Sequence, residues 1–297
     1  MDRTQLDIIH DFNRIVTLRS GAMAESYLGR GRPLGQARLL FEIGAGGRDL
    51  KDLRQRLRLD SGYLSRLLAS LRRQGLVTVE ADPADRRQRR AALTDAGRAE
   101  WAAYDDLSDE VARSMAAPLS SDDRARLVAA MGAVRRLLAA SALAIAVETP
   151  ASPDARACVA AYVGELGRRF EAGFDPGNGN PMPDDAALTP PAGCFLVARL
   201  DGRPVGCGAL RRLAPGVGEI KRMWVAPEAR GLGLSRRLLS ALEDQARALG
   251  MDRVRLDTNR ALTEAQALYR SAGYREIARF NDNPYADLWF EKALMGG

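Results

Sequence analysis

The chain is nearly without histidine and lysine: its 297 residues hold one histidine, His10, and three lysines, Lys51, Lys221 and Lys292. One imidazole near the start excludes a histidine-based triad or a multi-histidine metal site in the second half. Cysteine is also scarce. Cys158, Cys194 and Cys207 stand apart with no C-x-x-C, which argues against zinc and against a disulfide framework, and a reducing compartment is the natural setting. Aromatic residues make up only 6%, so Leu, Ala and Val must fill the core. No apolar run is long enough to span a bilayer. The longest, around Leu137 to Val147, is short and Ala-rich and reads as a packed helix. The first residues are charged throughout and contain no apolar signal core, so a cytoplasmic protein with no membrane partner is expected.

What the chain has is arginine, and it is unevenly placed. Net charge is +6, and the stretch Arg48 to Arg98 alone carries 13 basic and 7 acidic residues, so the remainder is balanced. Such a local excess permits nucleic-acid binding without establishing it. The length suits two domains of roughly 150 residues each. Thr149-Pro150-Ala151-Ser152-Pro153 has linker composition. Residues 1–148 therefore read as one domain, 149–153 as a linker and 154–297 as a second domain.

The first half reads as helices at 4–29, 36–43, 49–57 and 61–74. Asp49 and Asp60 are candidate N-caps and Gly75 a C-cap. A strand at 76–80, a turn at Asp82-Pro83-Ala84-Asp85 and a return strand at 91–93 then form a hairpin. Helical pattern resumes from 94 to about 146, broken at Pro118 to Ser121. Short helices followed by a hairpin are the plan of a mostly α winged helix-turn-helix. In it, helix 61–74 would present Ser61, Tyr63, Ser65 and Arg66 to a major groove. Arg86, Arg87, Arg89 and Arg90 crowd the hairpin tip, where a narrow minor groove attracts them. The run from Leu50 to Leu68, the wing Asp82-Pro83-Ala84-Asp85-Arg86-Arg87 and the closing Leu93-Thr94-Asp95-Ala96-Gly97 together resemble the MarR family of transcription regulators. The resemblance covers about residues 5–145. It implies double-stranded DNA as a partner and a homodimer joined through residues 1–25 and 98–145.

The second half reads as helix 154–170, a Gly/Pro/Asn-rich loop 173–193, strands 194–200, 203–212 and 218–225, and helix 232–249. Strand 253–258, helix 263–271 and strands 274–280 and 286–292 complete it as an α+β domain with a mixed sheet. Arg230-Gly231-Leu232-Gly233-Leu234-Ser235 follows a strand and opens a helix. Glycines there let main-chain N–H groups and the helix dipole hold a phosphate. The spacing does not fit a dinucleotide fingerprint, and no Gly-Lys-Ser/Thr follows to make a P-loop. The pattern resembles the Q/R-x-x-G-x-G/A signature of the GNAT N-acetyltransferases, with Ser235 departing at the last position. Gly218 to Pro227, Leu256-Asp257-Thr258-Asn259, Ala267 to Tyr274 and Asp287 to Lys292 extend the resemblance over about residues 153–294.

That resemblance implies acetyl-CoA as co-substrate, no metal, and an amine-bearing small molecule, peptide or protein as acceptor. It implies contacts to the coenzyme from Met223, Trp224 and Val225 through their backbone, from Gly231, Leu232, Gly233, Leu234 and Ser235 at the diphosphate, and from Arg230, Arg236, Asn259 and Tyr269. An ammonium cannot attack a thioester, so a base is needed. Period-2 geometry places Glu219, Lys221, Met223 and Val225 on one strand face, which makes Glu219 the candidate base. Tyr269 is the candidate acid toward the departing thiolate. Phe174, Asp175, Asn178, Asn180, Asn281 and Tyr285 are candidates for the acceptor site. Three functions fit: a regulator with an active acetyltransferase, a regulator that senses acetyl-CoA without turnover, and an enzyme dimerised by its first half.

Overall fold

Side-chain caps set most of the helix starts of the first half, α2 after Pro33 being the exception. In the computed structural model, which describes residues 1–81, 88–171, 173–177 and 184–294, helix α1 (Arg3–Arg19) opens on a capping box between Asp2 and Gln5. It stops at Arg19, well short of the expected residue 29, because Gly21 takes φ +68° in the turn that follows. Helix α2 (Leu34–Ile43) buries Ala37, Leu39, Leu40 and Ile43. After the short strand β1 (Arg48–Asp49), Asp49 caps α3 (Leu50–Leu57) and Asp60 caps α4 (Ser61–Arg73). Strands β2 (Val77–Ala81) and β3 (Arg89–Leu93) pair antiparallel, and β1 adds to β3. Helices α5 (Asp95–Ala116) and α6 (Ser121–Ser141) follow. This is the winged-helix plan expected. Its core joins α2 and α4 to the sheet through Leu40, Leu67, Leu71, Val77 and Leu93, with Tyr104 of α5 beneath them.

The Leu-Thr-x-x-Gly that closes the hairpin has a steric cause. The Thr94 hydroxyl donates to the Gly75 carbonyl at 2.6 Å and accepts the Gly97 N–H at 3.0 Å, while the Thr94 N–H donates to the Leu76 carbonyl. The backbone of Gly97 thereby sits so close to Leu76 that a Cβ would lie 2.0 Å from its carbonyl oxygen. Only glycine fits there.

The chain divides into two compact units, Met1–Ala129 and Ala130–Gly297, with the division inside α6. The second unit begins earlier than sequence suggested. Residues 143–148 are not the tail of a packed helix but strand β4 (Leu143–Glu148), and Leu137 is 70% exposed. Leu143, Ile145 and Val147 alternate with alanines, a period-2 pattern masked by helix-favouring Ala. The stretch 149–153 is therefore a turn inside this unit, not a link between domains, and Ser152 caps α7 (Pro153–Arg169).

Strands β5 (Gly193–Leu200), β6 (Arg203–Ala214) and β7 (Val217–Val225), helix α8 (Leu234–Ala248), strand β8 (Arg253–Thr258), helix α9 (Thr263–Ser271) and strands β9 (Arg275–Ile277) and β10 (Leu288–Ala293) complete it. The seven-stranded sheet has the order β4-β5-β6-β7-β8-β10-β9, and β7–β8 is its parallel pair. Alternation on β5 sends Leu196 and Ala198 into one core with Leu234, Leu238 and Leu242 of α8. Phe195 and Val197 enter the opposite core with Ala155 and Cys158 of α7.

The alternation fails in β7. Cys207 pairs with Trp224 and Ala209 with Lys221, so Arg222 and Met223 together oppose Gly208, and Arg222 takes φ +55°. This bulge corrects the expected shared face of Glu219, Lys221, Met223 and Val225. Lys221 and Trp224 lie opposite Ala209 and Cys207 on the α7 side, whereas Val225 joins Ile220 in the α8 core.

Gly97→Ala should destabilise the first unit by about 2 kcal/mol or more, from overpacking against a carbonyl, and Thr94→Ala by about 1 kcal/mol through loss of the cap. Urea denaturation followed at Trp101 measures both. Unchanged midpoints would refute this account of the motif.

Candidate functional site

Past Glu219, just ahead of the bulge, β7 and β8 part. They pair only from Val217↔Arg253 to Glu219↔Arg255, although β7 runs on to Val225 and β8 to Thr258. The wedge between them holds two cavities. The larger, about 520 Å³, runs from Met223, Trp224 and Val225 to the start of α8. The smaller, about 100 Å³, lies toward Phe174, Asp257 and Tyr285. They meet at Tyr162, Leu166, Met223, Leu262, Ala265 and Tyr269, which line both.

At the α8 end, Gly231 and Gly233 both take left-handed conformations, φ +76° and +73°, with open space where a Cβ would stand. Gly233 is the N-cap and has no capping side chain, so the first N–H groups of α8 are not consumed by one. Gly231, Gly233, Leu234, Ser235 and Arg236 line the larger cavity, while Leu232 packs against the α8 core instead. Bare amides at a helix start, beside a long cleft, fit a diphosphate with a narrow arm attached. The arginines there already have partners. Arg230 donates twice to Glu165, at 2.6 and 2.7 Å, and once to the Val225 carbonyl. Arg236 donates to Ser271. Glu165 also accepts the Trp224 indole N–H at 2.9 Å. Burial alone would raise the Glu165 carboxyl, but Arg230 and Trp224 hold it below the usual carboxylate range. Asn259 spans two loops, donating to the Tyr285 carbonyl and accepting from the Ala261 N–H, and borders the smaller cavity.

Tyr269 is 6% exposed, and burial, then the charge of Asp257, raises its phenol above the ordinary value. It is therefore a proton-bearing group at the junction of the two cavities. Glu219 does not reach either. It is 0% exposed and accepts from Arg211 and from Asn281, with Lys221 at 3.3 Å. The carboxylate that lines the smaller cavity is Asp257. It accepts from Asn281 at 2.5 Å, Asn283 at 3.0 Å and Lys221 at 3.3 Å. Asn281 thus serves this buried network and not the cavity wall.

Phe174 and Tyr285 line the smaller cavity, with ring centroids 4.8 Å apart. Asp175 contributes its backbone, which clasps the Tyr285 hydroxyl from both sides. Asn178 and Asn180 fall outside the described residues. Sequence reasoning missed Tyr162, Leu166 and Phe170, although their i, i+4, i+8 spacing puts them on one stripe of α7.

In the first unit, α4 buries Leu64, Leu67, Leu68 and Leu71 and turns Ser61, Tyr63, Ser65 and Arg66 to solvent. The Arg66 guanidinium sits 5.6 Å from the Tyr63 ring centroid. Arg89 is exposed at the loop end of the hairpin, opposite Ala81, while Arg90 donates back to the Gly46 carbonyl and so braces the wing. Arg86 and Arg87 lie outside the described residues.

Residues 165–274 match the acetyltransferase (GNAT) family, and residues 30–88 match the MarR family. An IAA acetyltransferase of Azospirillum brasilense is 40% identical over 131 residues, 42% of this chain and 84% of that protein. An uncharacterized N-acetyltransferase of Schizosaccharomyces pombe is 35% identical over 36% of this chain and 66% of its own. Among solved structures, a GNAT-family acetyltransferase of Staphylococcus aureus aligns with 52% of this chain and 100% of its own, at 19% identity and a TM-score of 0.42.

A Gly233→Val variant should fold but lose acetyl-CoA affinity by roughly tenfold or more. A branched side chain is strained at positive φ by about 1–2 kcal/mol, and every 1.4 kcal/mol is tenfold. Calorimetric titration gives the affinity, and a wild-type value would remove the α8 start from the coenzyme site.

Proposed function

The chain belongs to the GNAT acetyltransferase family, with a MarR-family domain fused ahead of the enzyme, and on that premise we propose that it is a bifunctional regulator that binds DNA and transfers acetyl from acetyl-CoA to an amine. The acyltransferase class and the donor follow from the family. The acceptor, the DNA partner and the pairing of activities are our reading.

One observation supports transfer best: the two cavities join at Met223 and Tyr269. The α8 amides and the edge of Met223 to Val225 that faces away from β6, where β8 no longer pairs with it, would hold the coenzyme, which supplies the activated acetyl group. The acceptor enters from the side of Asp257. An alkyl ammonium is under about 0.1% neutral at pH 7, so a proton must leave before the nitrogen attacks. Asp257 faces that cavity and is the group we assign to receive it. Glu219, expected as the base, stands behind Asp257 and shares Asn281 and Lys221 with it. As the N–C bond forms and the C–S bond breaks, Tyr269 supplies a proton to the sulfur. Among the described residues no group of His, Cys, Asp and Glu could hold a metal, and no helix is long and apolar enough to cross a membrane. We place the protein in the cytoplasm.

On the first unit, the exposed face of α4 suits a major groove, and Arg89 lies where the hairpin would approach phosphates. Helix α1 buries none of its residues and exposes Leu6, Ile8, Ile9, Phe12, Ile15 and Val16. A face of that kind asks for cover, and a second copy of the chain is the occupant we propose, giving a homodimer.

Tyr269→Phe should lower kcat by about 10²-fold or more and leave acetyl-CoA affinity nearly unchanged. Because burial raises the phenol, the wild-type rate should show no loss of this acid below about pH 10. An equal kcat in the variant would exclude Tyr269 from the reaction.

For DNA, Arg66→Ala should weaken binding and reduce the salt slope by about one. Phe12→Asp should give monomers by light scattering and weaken binding to two-fold symmetric DNA. A monomeric wild type, or a slope unmoved by Arg66→Ala, would contradict this half of the proposal.

A further inference from the structure

The smaller cavity has a composition that the acetyltransferase reading alone does not require. Four half-buried rings stand along it: Tyr162 on α7, Phe170 at its C-cap, Phe174 after α7, and Tyr285 before β10. Phe174 lies edge-on to Tyr162 and to Phe170, at centroid distances of 6.3 and 5.9 Å, and Tyr285 stacks on Phe170 at 6.1 Å. The wall is anchored, not loose. The Tyr285 hydroxyl accepts the Asp175 N–H at 3.0 Å and donates to the Asp175 carbonyl at 3.2 Å. The Tyr285 carbonyl accepts from Asn259, and its N–H donates to Asn283. With its polar groups engaged, Tyr285 offers ring surface to the cavity, as Phe170 and Phe174 do.

The opposite wall is charged. Lys221 and Arg222 line the cavity together with the single carboxylate Asp257. A plain arylalkyl ammonium would bring one more cation toward Arg222, beside a Lys221 already shared between Asp257 and Glu219. An acceptor carrying its own carboxylate would place an anion beside Lys221 and Arg222, in a partly enclosed space where charge-assisted hydrogen bonds are strong. Its nitrogen would then lie by Asp257 and toward Met223, where the cavities join.

We propose that the acceptor is an α-amino acid with an aromatic or bulky apolar side chain: rings against the Tyr162–Phe170–Phe174–Tyr285 wall, carboxylate toward Lys221 and Arg222, amine beside Asp257. The proposal rests on the acetyl-transfer reading above and narrows it. The ammonium first loses one proton to Asp257; the neutral nitrogen then takes the acetyl group as the C–S bond breaks, the thiolate takes a proton from Tyr269, and the second nitrogen proton restores the Tyr269 phenol, so the products are the N-acetyl amino acid, free CoA thiol and one proton that Asp257 returns to solvent.

The test is CoA-thiol release by the full-length protein with acetyl-CoA and four acceptors: L-phenylalanine, 2-phenylethylamine, L-alanine and a lysine-containing peptide. Phenylalanine should exceed each of the others in kcat/KM by roughly tenfold or more, the discrimination that a buried apolar pocket allows. Phe174→Ala should raise KM for phenylalanine about tenfold with little change for alanine and none in acetyl-CoA affinity. Arg222→Gln should erase the preference for phenylalanine over 2-phenylethylamine, with acetyl-CoA affinity confirming that the variant is folded. Equal rates for the amino acid and the decarboxylated amine would overturn the proposal, as would the peptide being the best acceptor, and either result leaves acetyl transfer standing. Acetyl-CoA binding without thiol release from any acceptor would overturn the transfer reading and this proposal with it.

Discussion

The second unit depends on one extra residue in β7. Two residues, Arg222 and Met223, stand opposite Gly208, and Arg222 accepts a left-handed backbone to do so. A bulge bends its strand and increases the local twist. β7 has already left its parallel neighbour after three paired positions, just ahead of this bend. A parallel pair that separates leaves main-chain N–H and C=O groups facing a wedge instead of a ladder. Those groups are suited to an extended ligand arm lying alongside as a further strand. The Cys207 thiol donates to the Arg222 carbonyl at 3.4 Å, so the bend is held from the neighbouring strand.

Some of this was readable beforehand, and the readable parts share a cause: they are local. Gly231 and Gly233 must be glycine because of their own φ angles, and Gly97 because of a carbonyl two segments back that the hairpin always brings to it. Caps at Asp49 and Asp60 act within three residues. The bulge left no such mark. Arginine is an uncommon residue at positive φ, and no glycine or proline interrupts Lys221 to Val225. Strict alternation therefore put Glu219 and Val225 on one face. Strand β4 was misread for a related reason, since its alternating Leu, Ile and Val are diluted by alanine. The acceptor wall was half readable. The α7 stripe follows from spacing of four, but the meeting of Phe174 with Tyr285 joins loops more than a hundred residues apart, which no local pattern encodes.

The side chains around the coenzyme cleft qualify the usual picture of a basic phosphate clamp. Arg230 is held by Glu165, Arg236 by Ser271, and Asn259 by its own loop and Tyr285. Arg169 on the same rim pairs with Glu264. Arg230 and Arg169, each paired with a carboxylate, therefore shape the cleft more than they charge it, whereas Arg236 keeps its charge. A grip on a diphosphate would then come mainly from main-chain amides at the α8 start, whose donors point one way and need no rearrangement. The ion pairs tie α7 to the turn before α8 and to α9, which keeps the cleft walls in register.

The same logic explains the polar cluster behind the acceptor cavity. Glu219 and Asp257 lie between Arg211 and Lys221, with Asn281 donating to both carboxylates and accepting the Trp289 indole N–H. Burying two carboxylates and two cations offers little net stability, because desolvation offsets most of the attraction. Its value is positional. Asn281 and Asn283 hang the segment before β10 from Asp257, on β8, and the next pinned residue along that segment is Tyr285. The carboxylate that would receive the amine proton and the ring that would receive the acceptor's side chain are thus set by one network. An apolar core of equal volume could match its stability, but it could not fix a loop, a base and a ring at the mouth of one cavity together.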